Sequence, residues 1–165
     1  MNRVDISPGT ARDLESVAAR MRESDIREFL ALSYAKSHED LCADLVLSYG
    51  GRKDLIAVRL GNTPVAIGAT ILSRPNVAVL LFFATDDFHK VAVATTRFIR
   101  RFLFPRLEQF GVHRIECVSI DGYDAAHQWI RTLGLKQEAV LSNFGRNGET
   151  FIQFSKVHNV CKTSC

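Results

Sequence analysis

The sequence predicts one mixed α/β domain, a twisted sheet of about six to seven strands flanked by helices. Three observations carry that expectation. The chain has 165 residues, enough for one core but not for two. Its apolar residues recur at helical spacing in the first third, switch to strict alternation near Ile56, and then exchange the two periods. One segment, Val77 to Ala84, is apolar on both faces, so both faces must be covered and it belongs in the middle of the sheet. Helix-linked and hairpin-linked strands both occur, which predicts parallel as well as antiparallel neighbours. The domain is expected over residues 1–158, with a tail at 159–165.

Val4 to Ile6 reads as an opening strand. Thr10 precedes Asp13 by three residues, a capping-box start, and Leu14, Val17, Ala18 and Met21 then form one apolar stripe of a first helix. A second helix is predicted from Ser24 to Leu32, with Ile26, Phe29 and Leu30 inward. Ser37 can cap a third, which carries Leu41, Cys42, Leu45 and Val46 and stops at Gly50-Gly51. Ile56, Val58 and Leu60 alternate, Gly61-Asn62 turns, and Val65, Ile67, Ala69 and Ile71 alternate again: a hairpin. After the two-sided strand, Asp86 or Asp87 can cap a long helix from about His89 to Gln109, with Val91, Ala94, Thr95, Phe98 and Phe102 as its buried line. Pro105 must kink that helix or start a new segment, because proline removes a backbone donor. Arg114 to Ile120 reads as a strand, Tyr123 to Leu133 as a helix closed by Gly134, and Leu135 to Phe144 and Thr150 to Val157 as the last two strands.

Composition excludes several classes of function. Apolar residues make up 47% and charged residues 24%, which excludes global disorder. The net charge of +3 does not by itself argue for nucleic acid. Lys90, Arg97, Arg100, Arg101 and Arg106 form a basic stripe, and because no aromatic residue is expected to interleave with it, a solvated outer face is the favoured reading. The longest uncharged stretch, Leu60 to Ser73, is broken by Gly and Pro and is too short to cross a bilayer. Arg3 and Asp5 do not fit a secretory leader, so a cytoplasmic protein is expected. Cys42 and Cys117 sit in apolar patterns, as buried free thiols do. Cys161 and Cys165 lie four apart with no zinc-spaced partners, so no metal is expected and a reduced tail is the favoured reading over a pair.

Three stretches in this order resemble the GNAT superfamily of acetyl-CoA-dependent N-acetyltransferases: Ile6 to Val17, the central strand running into the His89 helix, and Asp124 to Leu135 with its Leu133-Gly134-Leu135 exit. The short form and the Thr85-Asp86 loop also resemble the small GNAT-like proteins of short-tailed phages. The resemblance implies a GNAT-like sheet, acetyl-CoA as acyl donor, and a small-molecule or protein amine as acceptor. Its alternative is a catalytically degenerate structural or host-interaction component, found in the virion or the host cytoplasm and partnered by a phage or host protein.

The resemblance also implies where the donor would sit. A helix N-terminus favours a pyrophosphate through free N–H groups and the helix dipole. The matching register is His89-Lys90-Val91-Ala92-Val93-Ala94, after Phe83 and Ala84 at the strand end. Ala92 stands where the family has Gly, and His89 where it has Gln or Arg. Asp86 and Asp87 would repel phosphate unless they turn away. The residues alone read equally well as an Asp-capped helix against a sheet. The two-sided strand has no carboxylate, and Ile130 occupies the place of the family's acidic Tyr, with Tyr123 about two turns away. Asp25 or Glu28 could act as base through a water, and Cys117 and Ser119 could line the cleft. His113 and His127 are near in sequence, and a surface or capping role is the favoured reading for each.

Overall fold

The computed structural model describes residues 3–159. Cys161 and Cys165 lie outside the described residues. The chain runs β1 (Val4–Pro8), α1 (Ala11–Ala19), α2 (Glu23–Ala31), α3 (His38–Tyr49), β2 (Ile56–Leu60), β3 (Thr63–Arg74) and β4 (Val77–Ala84). A 3-10 turn (Asp86–Lys90), α4 (Ala92–Phe98), a π segment (Ile99–Leu103) and α5 (Phe104–Gln109) follow. The chain closes with β5 (Arg114–Ile120), α6 (Asp124–Thr132), β6 (Lys136–Leu141) and β7 (Phe151–Val157).

The seven strands form one sheet in the order β1-β2-β3-β4-β5-β7-β6, so β4 is the middle strand as its two-sided apolarity requires. All pairings are antiparallel except β4 with β5. That one parallel contact is short. It joins Val77, Ala78 and Val79 to Arg114, Ile115 and Glu116, and beyond them the two strands separate.

Alternation along β4 divides the core. Leu81 and Phe83 face α1–α3 with Leu14, Val17, Leu41 and Leu45, whereas Ala78 and Ala84 face the opposite layer. The capping box at α1 forms as predicted: the Asp13 N–H donates to Thr10 Oγ1 and the Asp13 carboxylate accepts from the Thr10 N–H. Ser37 caps α3.

Several expectations need correction. α2 starts at Glu23 rather than Ser24, with Arg22 at its N-cap and no side-chain cap bond. Met21 is buried but lies past α1, where it bridges Thr85 across the end of β4. Neither Asp86 nor Asp87 caps a long helix. They open the 3-10 turn, and the α-helix begins only at Ala92. Nor is that helix a single run. Pro105 lacks the N–H that would bond the preceding turn, and a π segment lies immediately before the α5 that carries it. Changing the pitch rotates the buried line, so Phe102 is 63% exposed and Ile99 and Phe104 take the inward places. Phe110 is exposed as well, with Arg106 over its ring at 5.8 Å, so aromatic residues do accompany the basic stripe. β6 stops at Leu141, and Phe144 belongs to the following turn.

Candidate active site

Where β4 leaves β5, the sheet opens around a cavity of about 270 Å³ that reaches both of its faces. Phe29, Ile71 and Leu81 line it from the α1–α3 side, and Phe98, Trp129 and Ile130 from the other. Separated strands leave backbone groups without partners, and these need another acceptor or donor when buried. Side chains satisfy the ends of both strands. The Ala84 N–H donates to Asp25 Oδ2 at 2.9 Å, and the Arg22 N–H donates to the Ala84 carbonyl at 3.0 Å. Across the gap, the Ile120 N–H donates to Glu28 Oε2 at 2.7 Å, and the ring of His127 meets the Ile120 carbonyl through Nε2 at 3.0 Å. Alternation turns the main chains of Phe82 and Val118 toward the same gap, past the last strand pair, where no ladder partner meets them.

Asp25 and Glu28 thus act as a bracket. They lie one turn apart on α2, which places both carboxylates on one helix face, and each takes the free donor of a different strand. Asp25 also accepts from Arg22 Nε at 2.9 Å and, on Oδ1, from the Tyr123 hydroxyl at 2.9 Å. Tyr123 stands at the N-cap position of α6, and the Arg22 guanidinium stacks over its ring at 5.8 Å and over Phe88 at 5.2 Å. Burial and the neighbouring Asp25 charge raise the Tyr123 pKa, so it remains a protonated donor. Glu28 differs from Asp25 in having no salt bridge among the described residues. Its two neutral donors, the Ser119 hydroxyl (2.7 Å) and the Ile120 N–H, both go to Oε2. Burial raises its pKa above the ordinary carboxylate value, and these two hydrogen bonds only partly offset that.

Cys117 and Ser119 line the cavity as predicted. Burial pushes the Cys117 thiol up to about 12, so at neutral pH it is a protonated, apolar wall rather than a nucleophile. The Ser119 hydroxyl is directed at Glu28 and the His127 ring is engaged at Ile120, so no Ser–His pair forms. His113 is tied through its backbone to Asn76 and His158. Ile130 also lines the cavity.

The candidate donor-contact residues are placed as follows. Phe83 is fully buried against Phe29, with ring centroids 5.7 Å apart, and Ala84 is fully buried with its N–H given to Asp25. The His89 ring meets the Asp86 carbonyl through Nδ1 at 2.9 Å, and Lys90 pairs with Asp87 at 2.7 Å, which neutralises one of the two loop acids. Val91 is buried, Val93 is exposed, and Ala92 and Ala94 are half-buried. The Thr95 N–H is the first to bond back, to the Val91 carbonyl at 2.9 Å. The N–H groups of Ala92, Val93 and Ala94 therefore open the helix without intrahelical partners. None of these eight residues lines the cavity itself.

Arg22 and Trp129 carried no sequence signal, although both prove central to the site. Trp129 packs on Phe82 and Phe88, with centroids 4.6 and 5.0 Å away, and its Nε1–H donates to Thr96 Oγ1 at 2.9 Å. Phe82, Phe88 and Trp129 lie on β4, the 3-10 turn and α6, so no spacing within one element could have marked this cluster.

No protein-family model matches the sequence, and no curated protein matches it. Solved structures do. An N-acetyltransferase from Staphylococcus aureus Mu50 superposes with a TM-score of 0.71 at 11% identity, over 94% of this chain and 98% of that one. A GNAT-family acetyltransferase from Bacillus anthracis gives 0.69 at 14% identity, over 94% and 95%. The ribosomal-protein-S18-alanine N-acetyltransferase from Escherichia coli gives 0.64 at 18% identity, over 99% of both chains.

The chain has the GNAT acetyltransferase fold.

At these identities the likeness is one of fold, and the chemistry must be argued from the GNAT-fold site that this chain builds. No helix among the described residues is long and apolar enough to cross a membrane.

Proposed function

We propose that this protein is an N-acetyltransferase that takes acetyl-CoA as its acyl donor. The observation that carries the reading is the parting of β4 from β5 around a through-sheet cavity, with the main chains of Phe82 and Val118 unpaired in the gap. An amide-bearing arm between the strands would supply the missing partners, and the open N–H groups of Ala92, Val93 and Ala94 suit the phosphates beyond it. The Lys90–Asp87 pair removes one repulsive charge from that approach.

In this reading Glu28, its pKa raised by burial, takes one proton from the acceptor ammonium. The amine nitrogen bonds to the thioester carbonyl carbon as the C–S bond breaks. Its second proton leaves with the thiolate sulfur, and Glu28 returns the first to solvent. Tyr123 and Arg22 hold Asp25, and through it the end of β4, in place. Most of the acceleration would come from holding thioester and amine together in one enclosed site.

The test is calorimetric titration and thermal denaturation with acetyl-CoA, followed by thiol release over an amine panel. At 100 times its dissociation constant, acetyl-CoA should stabilise the fold by about 2.7 kcal/mol. No binding at millimolar concentration overturns the proposal. A second reading, a GNAT-fold component without chemistry, draws on Asp25 already holding the Ala84 N–H and on the absence of a carboxylate from β4. Binding without turnover of any amine would establish that one.

A further inference from the structure

The α2 side of the cavity discriminates among acceptors more sharply than the acetyl-transfer reading requires. Its walls are apolar: Phe29, Leu32, Tyr49, Ile56, Ile71 and Leu81. Among the side chains that line it, Arg22 and Asp25 form a salt bridge at 2.9 Å and cancel. That leaves Glu28 as the carboxylate with no cationic partner among the described residues. Both of its donors use Oε2, and no donor among the described residues reaches Oε1. A carboxylate oxygen with free lone pairs in an apolar enclosure selects for a cation that can donate hydrogen bonds, and the surrounding walls select for an apolar body.

Size and access narrow the class further. The whole cavity measures about 270 Å³ and would also have to admit the acyl end of the donor. An engineered apolar cavity of about 150 Å³ accepts benzene, so the remaining space matches one ring or a compact alkyl group. The chain at the end of α2, next to this side, is fastened. The Arg146 N–H donates to the Ala31 carbonyl at 2.8 Å, and its guanidinium donates to the Ala35 carbonyl at 2.6 Å, tying the β6–β7 turn to the chain that follows α2. Ala31 also packs with Ile120 and Phe151 beneath that tie.

We infer that the acceptor is a small primary amine with an apolar aryl or alkyl body, its ammonium held at Glu28 Oε1. This rests on the acetyltransferase reading, but amine binding can be measured without the donor. The experiment uses the full chain in two steps. Calorimetry compares 2-phenylethylamine with 2-phenylethanol, which keeps the ring and lacks the ammonium. The amine should bind at least about tenfold more tightly, a difference of about 1.4 kcal/mol. Equal affinity overturns the inference, and this comparison needs no variant. Thiol release with acetyl-CoA then compares 2-phenylethylamine, spermidine and a peptide with an N-terminal alanine. 2-Phenylethylamine should give the highest kcat/KM, and Glu28→Gln should lower it by ~10²–10⁴-fold, the range typical of a lost general base, with acetyl-CoA affinity unchanged. Faster turnover of spermidine or the peptide overturns the inference and leaves the acetyltransferase reading intact. Failure of acetyl-CoA to bind removes that reading, while the amine and alcohol affinities still decide whether the Glu28 pocket takes an apolar amine.

Discussion

Arg59 gathers two carboxylates from elements distant in sequence, whereas Arg22 pairs with Asp25 three residues along and leaves the neighbouring Glu28 without an arginine contact. Arg59, on β2, clasps Asp13 through Nε at 3.2 Å and through its terminal nitrogen at 2.7 Å, and reaches Ser7 at 2.7 Å and Asp5 at 3.3 Å. Burial alone would push the Asp13 carboxyl up, but the hydrogen bonds from Arg59 and Thr10 and the Arg59 charge outweigh it, and its pKa lies below the ordinary value. Arg22 is committed to Asp25, and Glu28, one turn further on, has only neutral donors and is shifted the other way. The first cluster is built to stay ionised and fasten β1, β2 and α1 together. The second leaves one carboxylate with a raised pKa beside a cavity. Asp13 touches an arginine and is less deeply buried, whereas Glu28 is deeply buried and touches none, and both differences separate the two.

The largest expected effect breaks the second cluster at its centre. Asp25→Ala leaves the Arg22 guanidinium, the Tyr123 hydroxyl and the Ala84 N–H without their shared acceptor. Removing one partner of a buried ion pair typically costs about 3–5 kcal/mol, and urea denaturation should show a loss of that size. A loss under about 1 kcal/mol would mean that water replaces the carboxylate and that the bracket across the sheet is not structural. Arg59→Met tests the first cluster and should cost less, about 2 kcal/mol, because the partly exposed Asp5 and Asp13 can return to water. Its signature is the pH at which the loss appears. A depressed folded-state pKa for Asp13 contributes stability that is present above the ordinary aspartate range and is lost as pH falls through the folded value. The difference between Arg59→Met and the parent chain should therefore be large at neutral pH and shrink in acid.

Thr85 supplies a control between the two clusters. Its Oγ1 is buried with no hydrogen-bond partner among the described residues, at the same β4 end that Asp25 serves. Thr85→Val keeps the shape and removes the orphaned hydroxyl, so stability should rise by about 1 kcal/mol. A loss would show that a partner, such as a bound water, satisfies the hydroxyl in solution.

Local chemistry made the fold legible, and long-range chemistry hid the site. The limits of β4 follow from an unbroken apolar run, the β2–β3 hairpin from alternation and the Thr10–Asp13 box from a three-residue spacing, because each depends on neighbours in the chain. Phe102 and Phe104 exchanged places because the π segment before Pro105 changes the pitch, an effect that helical spacing cannot anticipate. Asp25 and Glu28 stood out as candidate bases, yet they looked like solvated acids on a surface helix. Their partners Ala84 and Ile120 lie 59 and 92 positions away, and Tyr123 lies 98 away. Spacing within α2 shows that the two carboxylates share a face. It does not show that two parted strands present their unpaired N–H groups to that face.

The smallest change in stability is expected from Glu28→Gln, and its sign should depend on pH. The amide oxygen can still accept from Ser119 and Ile120, so little packing or hydrogen bonding is lost. The raised pKa means that the folded chain holds the Glu28 proton to a higher pH than the unfolded chain does. Between those two values the folded state binds more protons, so Glu28 weakens the fold as pH rises through that window. Other groups face it there: Asp25, Arg22 and Tyr123 lie in the same cluster, and Tyr123 and Cys117 stay protonated across the window. Relative to the parent chain, Glu28→Gln should therefore be neutral or slightly less stable in acid and more stable at neutral pH, within about 1 kcal/mol. Urea midpoints measured at intervals from acid to neutral pH would show the crossing. A variant that is uniformly less stable would place Glu28 with Asp13, as a carboxylate that the fold requires in its charged form. A crossing, joined to loss of acetyl transfer, would show a residue held at a cost to the fold because its proton is used.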